Sequence, residues 1–298
     1  MTARVPAALL ANGRWRHEGE RGRTWLRSLP ALIDRLLATW NLVPDGPAHS
    51  GYEGLALPVR QAAERCVLKI SFPDPDNHEA LALRTWNGHG AVLLLGESAA
   101  DCAVLLERAD SSRTLSEVEL GAAIEIAGRL VRTLSVPAPP GPRRTADIFA
   151  AARADLASRW ASLDRPFPAR LLRRVQDAAD ELAAAPPVGP ELLANWDLHY
   201  GNVLAGRREP WLAIDPKVAA GIPEYGPAQL LWTRLDEMAG PAGLTRCFRR
   251  LTDAAELDHE LAVRCAILRC TDYWLWALSV GLTEDPVRCA RIVATFLP

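Results

Sequence analysis

The chain has 298 residues, of which 49% are hydrophobic, and its 34 basic and 36 acidic side chains leave it close to neutral. That length allows one large domain or two lobes with a sizeable core. The charge balance lacks the basic excess of a nucleic-acid-binding protein, and no segment reaches the roughly 18 uninterrupted apolar residues of a membrane helix. We therefore expect neither a nucleic-acid partner nor a membrane partner.

The apolar run before Arg14 is too short for the hydrophobic region of a secretion signal. The first predicted helix spans Leu29–Trp40, where apolar residues recur at helical spacing and Pro30 suits the first turn. The cysteines form no C-x-x-C pair and lack histidines at zinc-site spacing, so we expect buried, reduced thiols and a cytoplasmic location. They are Cys66, Cys102, Cys247, Cys265, Cys270 and Cys289.

A turn with two glycines precedes two predicted strands, Leu55–Val59 and Cys66–Ile70. In protein kinases such a glycine loop covers the nucleotide phosphates with its backbone, and a lysine on the third strand contacts them. Gly51 and Gly54 fit the loop, and Lys69 fits the lysine. The alternative is a lysine on an exposed sheet edge.

The residues after the second strand favour the first interpretation of Lys69. Pro73 and Pro75 end the strand, and Asn77–Trp86 is predicted to be a helix. We expect Glu79 on that helix to pair with Lys69, as in the Lys–Glu ion pair of kinases.

Two more apolar runs, Ala91–Leu95 and Ala103–Leu106, are predicted strands, and the apolar pattern stops after them. We interpret Glu107–Asp110 as a hinge between two lobes. The backbone groups of Glu107 and Ala109 are candidates to bind the edge of an adenine ring, which requires no particular side chain.

Periodic apolar residues predict an all-helical lobe after the hinge, except in the segment around residue 197. The predicted helical segments are Ser116–Leu134, a helical block over residues 147–185, Gln229–Leu235 and His259–Gly281. Pro186 and Pro187 are expected to close the helical block. The predicted domains are therefore residues 1–108, which bind the nucleotide, and residues 109–298, which carry catalysis and substrate binding.

Three polar residues have the spacing of a phosphotransferase site. In kinases an Asp accepts the proton of the attacking hydroxyl, an Asn five residues later holds magnesium, and a second Asp after a strand also holds it. Hard divalent cations prefer carboxylate and amide oxygens. Asp197 is therefore the predicted base, and Asn202 and Asp215 are the predicted metal ligands.

A predicted β-hairpin connects the two metal ligands. Short apolar runs at Val203–Ala205 and Trp211–Ile214 flank a polar turn. Such a hairpin would return Asp215 to a position near Asn202. The alternative is a chance arrangement of solvated loop acids, because the Asp–Asn spacing alone is a weak signal.

Neighbouring residues add detail to this site. Lys69 and Lys217 are the only lysines of the chain, and both lie where phosphates are expected, although two residues do not exclude coincidence. Trp196 adjoins Asp197 and is the tryptophan expected to contact a substrate. His199 is interpreted as a structural hydrogen-bonding residue of the loop.

These motifs resemble the aminoglycoside/hydroxyurea antibiotic resistance kinase family, most closely its streptomycin 6-phosphotransferases. The resemblance implies an α+β, protein-kinase-like bilobal fold with a small β-rich N-lobe and a larger helical C-lobe. It also implies phosphorylation of an aminoglycoside hydroxyl, most closely the 6-hydroxyl of streptomycin, with ATP and Mg²⁺ as cofactors, and we expect a monomer. The segments that carry the resemblance are residues 136–141, 196–200, 202–205 and 208–216.

Two departures from the family pattern concern the anchoring of the catalytic loop. Asn195 stands where the family usually has His, and Gly221–Gly226 lacks two acids that relatives commonly carry. A streptomycin-like substrate has two guanidinium groups, which favour carboxylate partners. Glu224, Asp236 and Asp272 are the candidates for those partners.

Three alternatives stay open at this point. The substrate could be hydroxyurea or another small metabolite, which needs fewer acidic contacts. A nucleotide-binding pseudokinase is a non-enzymatic alternative, although such proteins usually lack one of the residues found here. A protein kinase is disfavoured, because no activation signature follows Asp215.

Overall fold

The computed structural model describes residues 5–184 and 189–297. These residues divide into two compact units. The first contains the described residues up to Gly88 together with Val92–Ala109, and the second contains His89–Ala91 and the described residues from Asp110 onward. The assignment of nucleotide binding to one part and catalysis to the other stays a prediction.

The first unit is built on a six-stranded antiparallel sheet with three helices. The strands are β1 Leu42–Pro44, β2 His49–Ser50, β3 Gly54–Gln61, β4 Glu64–Ser71, β5 Leu94–Ser98 and β6 Ala103–Glu107, and the helices are α1 Ala7–Leu10, α2 Arg14–Thr39 and α3 Glu79–Trp86. The strand order is β1-β3-β4-β6-β5, and β2 pairs with β3. The two strands predicted around Lys69 correspond to β3 and β4.

Burial alternates along β4, as expected for a strand with one face on a core. Leu68 and Ile70 belong to the same buried cluster as Leu29 and Ile33 of α2, and each such side chain contributes about 2 kcal/mol by leaving water. Lys69 lies between these two buried residues in the strand, so its side chain projects from the opposite face of the sheet.

Helix α2 corrects the prediction for the N-terminal region. The helix begins at Arg14, and Pro30 lies inside it instead of in its first turn. Trp15 and Trp25 are buried in the same core cluster, so the apolar face extends N-terminal to the proline. Gly19, with φ 57° and ψ −130°, interrupts the helical geometry. Core burial thus outweighs the cost of about 3 kcal/mol that is typical of an interior proline.

Two other elements of the first unit begin later than predicted. Helix α3 starts at Glu79, whose backbone N–H donates to Asn77 Oδ1 at 3.0 Å. Strand β5 starts at Leu94 instead of Ala91. Ala91 forms an isolated parallel bridge with Ala213, which places it in the second unit and delays the start of the strand.

The described part of the second unit is mainly helical. Its helices are α4 Leu120–Leu134, α5 Thr145–Ser162, α6 Ala169–Ala184, α7 Ala228–Trp232, α8 Gly240–Ala255, α9 His259–Ser279 and α10 Glu284–Phe296. Helices α8 and α10 were not predicted, although both are amphipathic and bury one face. Helix α7 is shorter than the predicted helix, because a separate 3₁₀ turn forms at Leu235–Glu237.

The predicted start of the first helix of this unit was also wrong. Helix α4 begins at Leu120 instead of Ser116, because the Glu119 carboxylate accepts the N–H groups of Gly121 and Ala122 at 2.8 and 2.9 Å and so caps the helix there. The helical block predicted over residues 147–185 is confirmed in its described part and consists of two helices, α5 and α6. Its expected closure at Pro186 and Pro187 lies outside the described residues.

The second unit also contains two small sheets, of which only the two hairpin strands were predicted. Their strands are β7 Asp110–Thr114, β8 Leu192–Asn195, β9 Val203–Ala205, β10 Trp211–Ala213 and β11 Val218–Gly221. One sheet has the order β10-β9-β7 and the other pairs β8 with β11. The predicted hairpin is confirmed as β9 and β10, with Trp211 opposite Ala205. Strands of three to five residues carry too little periodicity to be predicted individually.

Candidate active site

Strand β8 leads directly into the predicted catalytic loop. Its last residue, Asn195, pairs with Val218 of β11. The next backbone N–H, from Trp196, donates to Lys217 O at 2.9 Å. The N–H of Asp197 donates to Asn195 Oδ1 at 3.2 Å. Asn195 therefore supplies a bond that anchors the loop, although the family usually has His at this position.

Asn202 connects the catalytic loop to the hairpin. Its side-chain nitrogen donates to Asp197 O at 3.2 Å, and its carbonyl accepts the N–H of Ile214 at 2.9 Å. Asp215 follows Ile214 directly. The hairpin thus returns Asp215 to the neighbourhood of Asn202, as the sequence predicted.

The backbone of Asp215 is in the left-handed region, with φ 50°. Few non-glycine residues adopt this conformation, although Asp and Asn tolerate it better than most. The turn changes the chain direction immediately after β10, so the carboxylate does not follow the alternation of a strand. Backbone strain of this kind is frequent at functional sites.

Charged groups from three segments surround Asp197. Burial raises the pKa of its carboxyl, and the nearby carboxylate of Asp215 raises it further, whereas Lys217, His199 and Arg269 act in the opposite direction. These mutual effects require the groups to be close in space. The residues predicted as base and metal ligands are therefore brought together within the second unit.

The donor set fits a hard divalent cation. Asp197 and Asp215 offer carboxylate oxygens, and the side-chain nitrogen of Asn202 bonds to Asp197 O, which leaves Oδ1 as the amide oxygen suited to a cation. Among the described residues, no group of three or more His, Cys, Asp or Glu side chains is placed to hold a metal. A site here would therefore use the amide oxygen and the oxygens of a ligand such as a triphosphate.

His199 has the structural role that the sequence suggested. Its Nδ1 accepts the N–H of Gly201 at 3.1 Å, which places the ring proton of the neutral form on Nε2. Burial lowers the pKa of the imidazole, against the opposing effects of Asp197 and Asp215. The ring closes the turn that presents Asn202.

The first unit holds the other predicted charged pair. Lys69 Nζ lies 2.6 Å from Glu79 Oε2, with side-chain exposures of 15% and 5%, so the predicted pairing is confirmed. Asn77 bonds to the Glu79 N–H and fixes the start of the helix that carries the carboxylate. Both partners are therefore held in one arrangement by secondary structure, β4 on one side and α3 on the other.

The turn with two glycines has its own structural requirement. The N–H of Gly51 donates to Gly54 O at 2.9 Å and closes the turn between β2 and β3. A Cβ at Gly54 would lie 2.2 Å from Ile70 O, so only glycine fits against β4. Glycine at 54 is explained by packing, and its contact with phosphates stays a prediction.

The predicted hinge residues lie at the end of the first unit. The backbone N–H of Glu107 donates to Leu93 O at 2.9 Å, and its carboxylate accepts the Leu93 N–H at 3.0 Å. Ala109 is the last residue of that unit. The boundary between the two units therefore falls inside the predicted hinge, and nucleotide binding by these residues stays a prediction.

An arginine that sequence reasoning missed lies beside Trp196. The guanidinium carbon of Arg269, on α9, is 4.8 Å from the centroid of the Trp196 ring, 5.7 Å from Tyr225 and 5.9 Å from Trp232. Its charge also acts on Asp197. No local motif marks Arg269, and only its place three residues before Asp272 on α9 hints at a pair.

The three carboxylates proposed for substrate binding have different environments. Glu224 is buried and accepts the backbone N–H of Asp258 at 3.2 Å, which anchors the start of α9. Asp236 is bound by Arg288 and Arg291 at 2.8 and 2.7 Å. Asp272 lies 2.5 Å from Arg159 and 3.9 Å from Arg269. Of the three, only Asp272 is connected through Arg269 to Trp196.

The fold and these two sets of side chains define a kinase-type phosphotransferase. The chain belongs to the aminoglycoside/hydroxyurea antibiotic resistance kinase family, whose model matches residues 39–281. It is 42% identical to the streptomycin 6-kinase of Streptomyces glaucescens over 88% of this chain and 87% of that protein. It is 38% identical to the hydroxyurea phosphotransferase of Kitasatospora aureofaciens over 98% of this chain and 86% of that protein. The predicted family is confirmed.

Solved structures confirm the predicted α+β kinase-like fold. A choline/ethanolamine kinase family protein from Mesorhizobium loti superposes with a TM-score of 0.60 at 15% identity, covering 89% of this chain and 93% of that one. Aminoglycoside phosphotransferase APH(4)-Ia, in complex with AMP-PNP and hygromycin B, gives 0.58 at 18% identity, covering 89% and 98%. Within the described ranges, no helix has the length and apolar character needed to cross a bilayer.

Proposed function

We propose that the protein transfers the γ-phosphoryl group of ATP to an aminoglycoside, and that the acceptor is the 6-hydroxyl of streptomycin. The observation that carries this proposal is the convergence of Asp197, Asn202 and Asp215. It occurs in a chain that is 42% identical to a streptomycin 6-kinase over most of both lengths.

Asp197 acts as the base. Its carboxylate orients the acceptor hydroxyl and accepts its proton as the oxygen attacks the γ-phosphorus, while ADP leaves from the opposite side. Burial raises the pKa of this carboxyl and makes it a better proton acceptor, whereas Lys217, His199 and Arg269 favour the ionised form. Bonds from Asn195 and Asn202 hold the backbone on both sides of the reacting group.

Asn202 and Asp215 would hold Mg²⁺ through one amide oxygen and one carboxylate. The metal, when bound with the nucleotide, would offset charge that develops on the leaving phosphate oxygens. Lys69 would contact the nucleotide phosphates as a compact ammonium, and Glu79 fixes its position at 2.6 Å.

Backbone groups would complete the nucleotide site. The amides of Gly51 and Gly54 would lie over the phosphates, since their turn has no bulky side chain at either position. The backbones of Glu107 and Ala109 would bind the adenine edge. Residues 1–108 would thus supply most of the nucleotide site, with the Ala109 backbone at the boundary, and residues 109–298 would carry catalysis and drug binding.

Recognition of streptomycin would depend on its guanidinium groups. Trp196 offers a ring for stacking, and Asp272 is the candidate carboxylate that Arg269 connects with Trp196; it would have to release Arg159 to bind the drug. Asp236 would first have to release two arginines. Glu224 would have to release the start of α9.

Hydroxyurea is the second candidate substrate, and its support is the 38% identity to a hydroxyurea phosphotransferase over 98% of this chain. Such a small acceptor would not need the acidic contacts around Trp196. A pseudokinase function has less support, since the residues for the base, the metal and the lysine are all present.

The decisive experiment incubates the full chain with ATP and Mg²⁺ and with streptomycin, hydroxyurea and an aminoglycoside without guanidinium groups. Mass spectrometry should find one added phosphate on streptomycin, and NMR should locate it on the 6-hydroxyl. Phosphorylation of hydroxyurea alone would replace streptomycin by the second candidate. Binding of ATP without transfer to any acceptor would favour the pseudokinase.

The assignment of the base is tested by Asp197→Asn. We expect its kcat to fall by about 10²–10⁴-fold, which is the usual contribution of a general base, with ATP binding retained. Asp34→Asn, an exposed position on α2, is the control and should keep the wild-type kcat. Turnover by Asp197→Asn at the wild-type rate would contradict the assignment.

We further propose that the enzyme works as a monomer in the cytoplasm, where ATP is available. Light scattering at micromolar concentration should give the mass of one 298-residue chain, 32.5 kDa. A mass of twice that value would contradict the monomer.

A further inference from the structure

Arg269 has an unusual environment for a cation. Its side chain is 11% exposed, and its guanidinium carbon lies within 6 Å of the rings of Trp196, Tyr225 and Trp232. Arg269 forms an ion pair with the Asp272 carboxylate at 3.9 Å. The buried Nε atom makes no hydrogen bond among the described residues.

Loss of hydration makes a buried guanidinium costly unless other groups replace the water. Here the faces of aromatic rings take over part of that role, through cation–π contacts worth about 2 kcal/mol when they are desolvated. Stability alone does not explain the arrangement, because an apolar residue of similar volume would fill the site without the cost of burying a charge.

The Trp196 ring connects this arginine to the reaction site. Two cations lie near the ring, since the guanidinium carbon of Arg269 is 4.8 Å from its centroid and Lys217 Nζ is 5.6 Å from it. The Trp196 backbone donates to Lys217 O, and Asp197 is the next residue. Trp196 is thus held at two points directly before Asp197, its ring by Arg269 of α9 and its backbone by the segment after Asp215.

We propose that Arg269 is a positioning residue for phosphoryl transfer, which holds the Trp196 ring and through it sets the direction of the Asp197 carboxylate. The inference rests on the proposed role of Asp197 as the base. Arg269 does not touch the reacting atoms in this mechanism, so its removal should lower kcat and leave the KM for ATP unchanged. A shift of about 1 Å in a reacting group costs on the order of 10²-fold in rate.

The test compares steady-state kinetics of Arg269→Met, which keeps the side-chain length without the charge, and Arg269→Lys, which keeps the charge. We expect Arg269→Met to lose about 10–100-fold in kcat with the KM for ATP within twofold of wild type. Arg269→Lys should recover part of that loss. Arg264→Met, an exposed arginine on the same helix, is the matched control and should keep the wild-type kcat.

A double-mutant cycle assigns the effect to the ring. Trp196→Leu should also lower kcat, and combining it with Arg269→Met should cost little more than either change alone, because both remove the same contact. If Arg269→Met does not fold, as judged by circular dichroism, the same comparison is made with Arg269→Lys and Trp196→Leu. Additive losses in the cycle would show that Arg269 does not act through Trp196.

The possible outcomes separate this inference from the proposed function. A wild-type enzyme that phosphorylates streptomycin, with Arg269→Met equal to it in kcat, would overturn the inference alone. A loss that appears only in the KM for the drug would also overturn it, since it would make Arg269 part of substrate binding. A wild-type chain that transfers phosphate to no acceptor would overturn the proposed function and this inference with it.

Discussion

Gly226 and Asn195 explain how the catalytic loop is anchored despite the two departures from the family pattern. Asn195 Oδ1 accepts the N–H of Asp197, so the side-chain amide of Asn195 anchors the loop. Gly226 lies directly against the same residue, and a Cβ there would be 2.7 Å from Asn195 O. The absence of a side chain at position 226 is therefore a packing requirement of the loop in this chain.

Gly226→Ala should consequently destabilise the protein. Backbone has to move to relieve a 2.7 Å contact, and overpacking of this kind costs about 1–3 kcal/mol. We expect a lower midpoint in urea denaturation. We also expect a lower kcat, because Asn195 accepts the N–H of Asp197 and so positions the predicted base. Gly13→Ala is the control, since a Cβ at Gly13 meets nothing within 4 Å. Equal stability of the two variants would contradict the packing argument.

The Lys69–Glu79 pair allows stability and function to be separated. Both side chains are mostly buried and lie 2.6 Å apart, so Glu79→Ala removes the carboxylate from a buried ion pair and should lower the free energy of unfolding by about 3 kcal/mol. Replacing the pair by Lys69→Met with Glu79→Leu removes both charges. We expect this double variant to recover most of the stability, as such apolar replacements are often neutral or stabilising.

ATP binding by the double variant should stay weak, because no ammonium is left for the phosphates. Chemical denaturation and calorimetric titration with ATP measure the two quantities on the same samples. A double variant that binds ATP like the wild type would show that Lys69 does not contact the nucleotide. A double variant as unstable as Glu79→Ala would show that the pair is needed for packing.

Helices and strands were predicted correctly where a sequence motif indicated both the type of the element and its length. The hairpin from Val203 to Ala213 and the strand that carries Lys69 were predicted because apolar runs there are bounded by turn residues. The return of Asp215 to Asn202 followed from the hairpin, since its register determines where Asp215 lies.

The predictions failed where tertiary contacts decide the element. Helix α2 continues through Pro30 because a buried aromatic cluster lies upstream of it, and the proline signal alone indicates a helix start. Strands β7, β8 and β11 are four or five residues long and form only through partners that are distant in sequence. Arg269 was missed for the same reason, because its aromatic neighbours come from three other segments.

Pro30→Ala should stabilise helix α2. The proline is exposed inside the helix, so alanine can restore a backbone hydrogen bond without disturbing the core. We expect the free energy of unfolding to rise by about 1–2 kcal/mol, less than the full cost of an interior proline, because the flexible unfolded chain gains entropy. Arg27→Ala, an exposed site on the same helix, should change stability by less than about 0.5 kcal/mol. Loss of stability in Pro30→Ala would show that the helix geometry depends on the proline.

The start of helix α4 gives a pH dependence. The N–H groups of Gly121 and Ala122 lower the pKa of the Glu119 carboxyl in the folded protein below its ordinary value of 4.5. A lowered folded pKa means that this stabilisation is complete above the unfolded pKa and is lost as the pH falls through the folded pKa. The stability difference between wild type and Glu119→Gln should therefore be constant near neutral pH and shrink below about pH 4.5.

Urea midpoints of both proteins across that pH range measure the difference. Glu181→Gln, at an exposed position on α6, is the control for a general effect of removing one acid. A difference between wild type and Glu119→Gln that grows on acidification would contradict the capping interpretation.

For the molecule as a whole, the two lysines are the clearest compositional signal. All other basic residues are Arg, yet Lys69 pairs with Glu79 in the first unit and Lys217 adjoins Trp196 and Asp197 in the second. A guanidinium is larger and binds as a planar fork, so a compact ammonium is not interchangeable with it. Both lysines lie beside predicted site residues. A role in the site therefore explains their positions better than coincidence does.

The distribution of the cysteines gives the last prediction, on the reactivity of the whole native chain. Cys66, Cys265, Cys270 and Cys289 are at most 1% exposed, whereas Cys102 and Cys247 are partly exposed. Burial raises the pKa of the thiols of Cys66 and Cys265, and also of Cys102 and Cys247, so the difference in reactivity depends on the access of a reagent. In native conditions a thiol reagent should therefore modify only the two partly exposed cysteines readily.

Denaturation in guanidinium should make all six thiols reactive, and peptide mass spectrometry can follow each one over time. The variant with Cys102→Ser and Cys247→Ser should show no fast labelling while keeping the native circular dichroism spectrum. Because Cys66 lies in the first unit and the other three buried thiols lie in the second, the same experiment reports on the protection of each unit separately. Fast modification of Cys265 in the native wild type would contradict the buried position of α9, and with it the packing on which the placement of Arg269 depends.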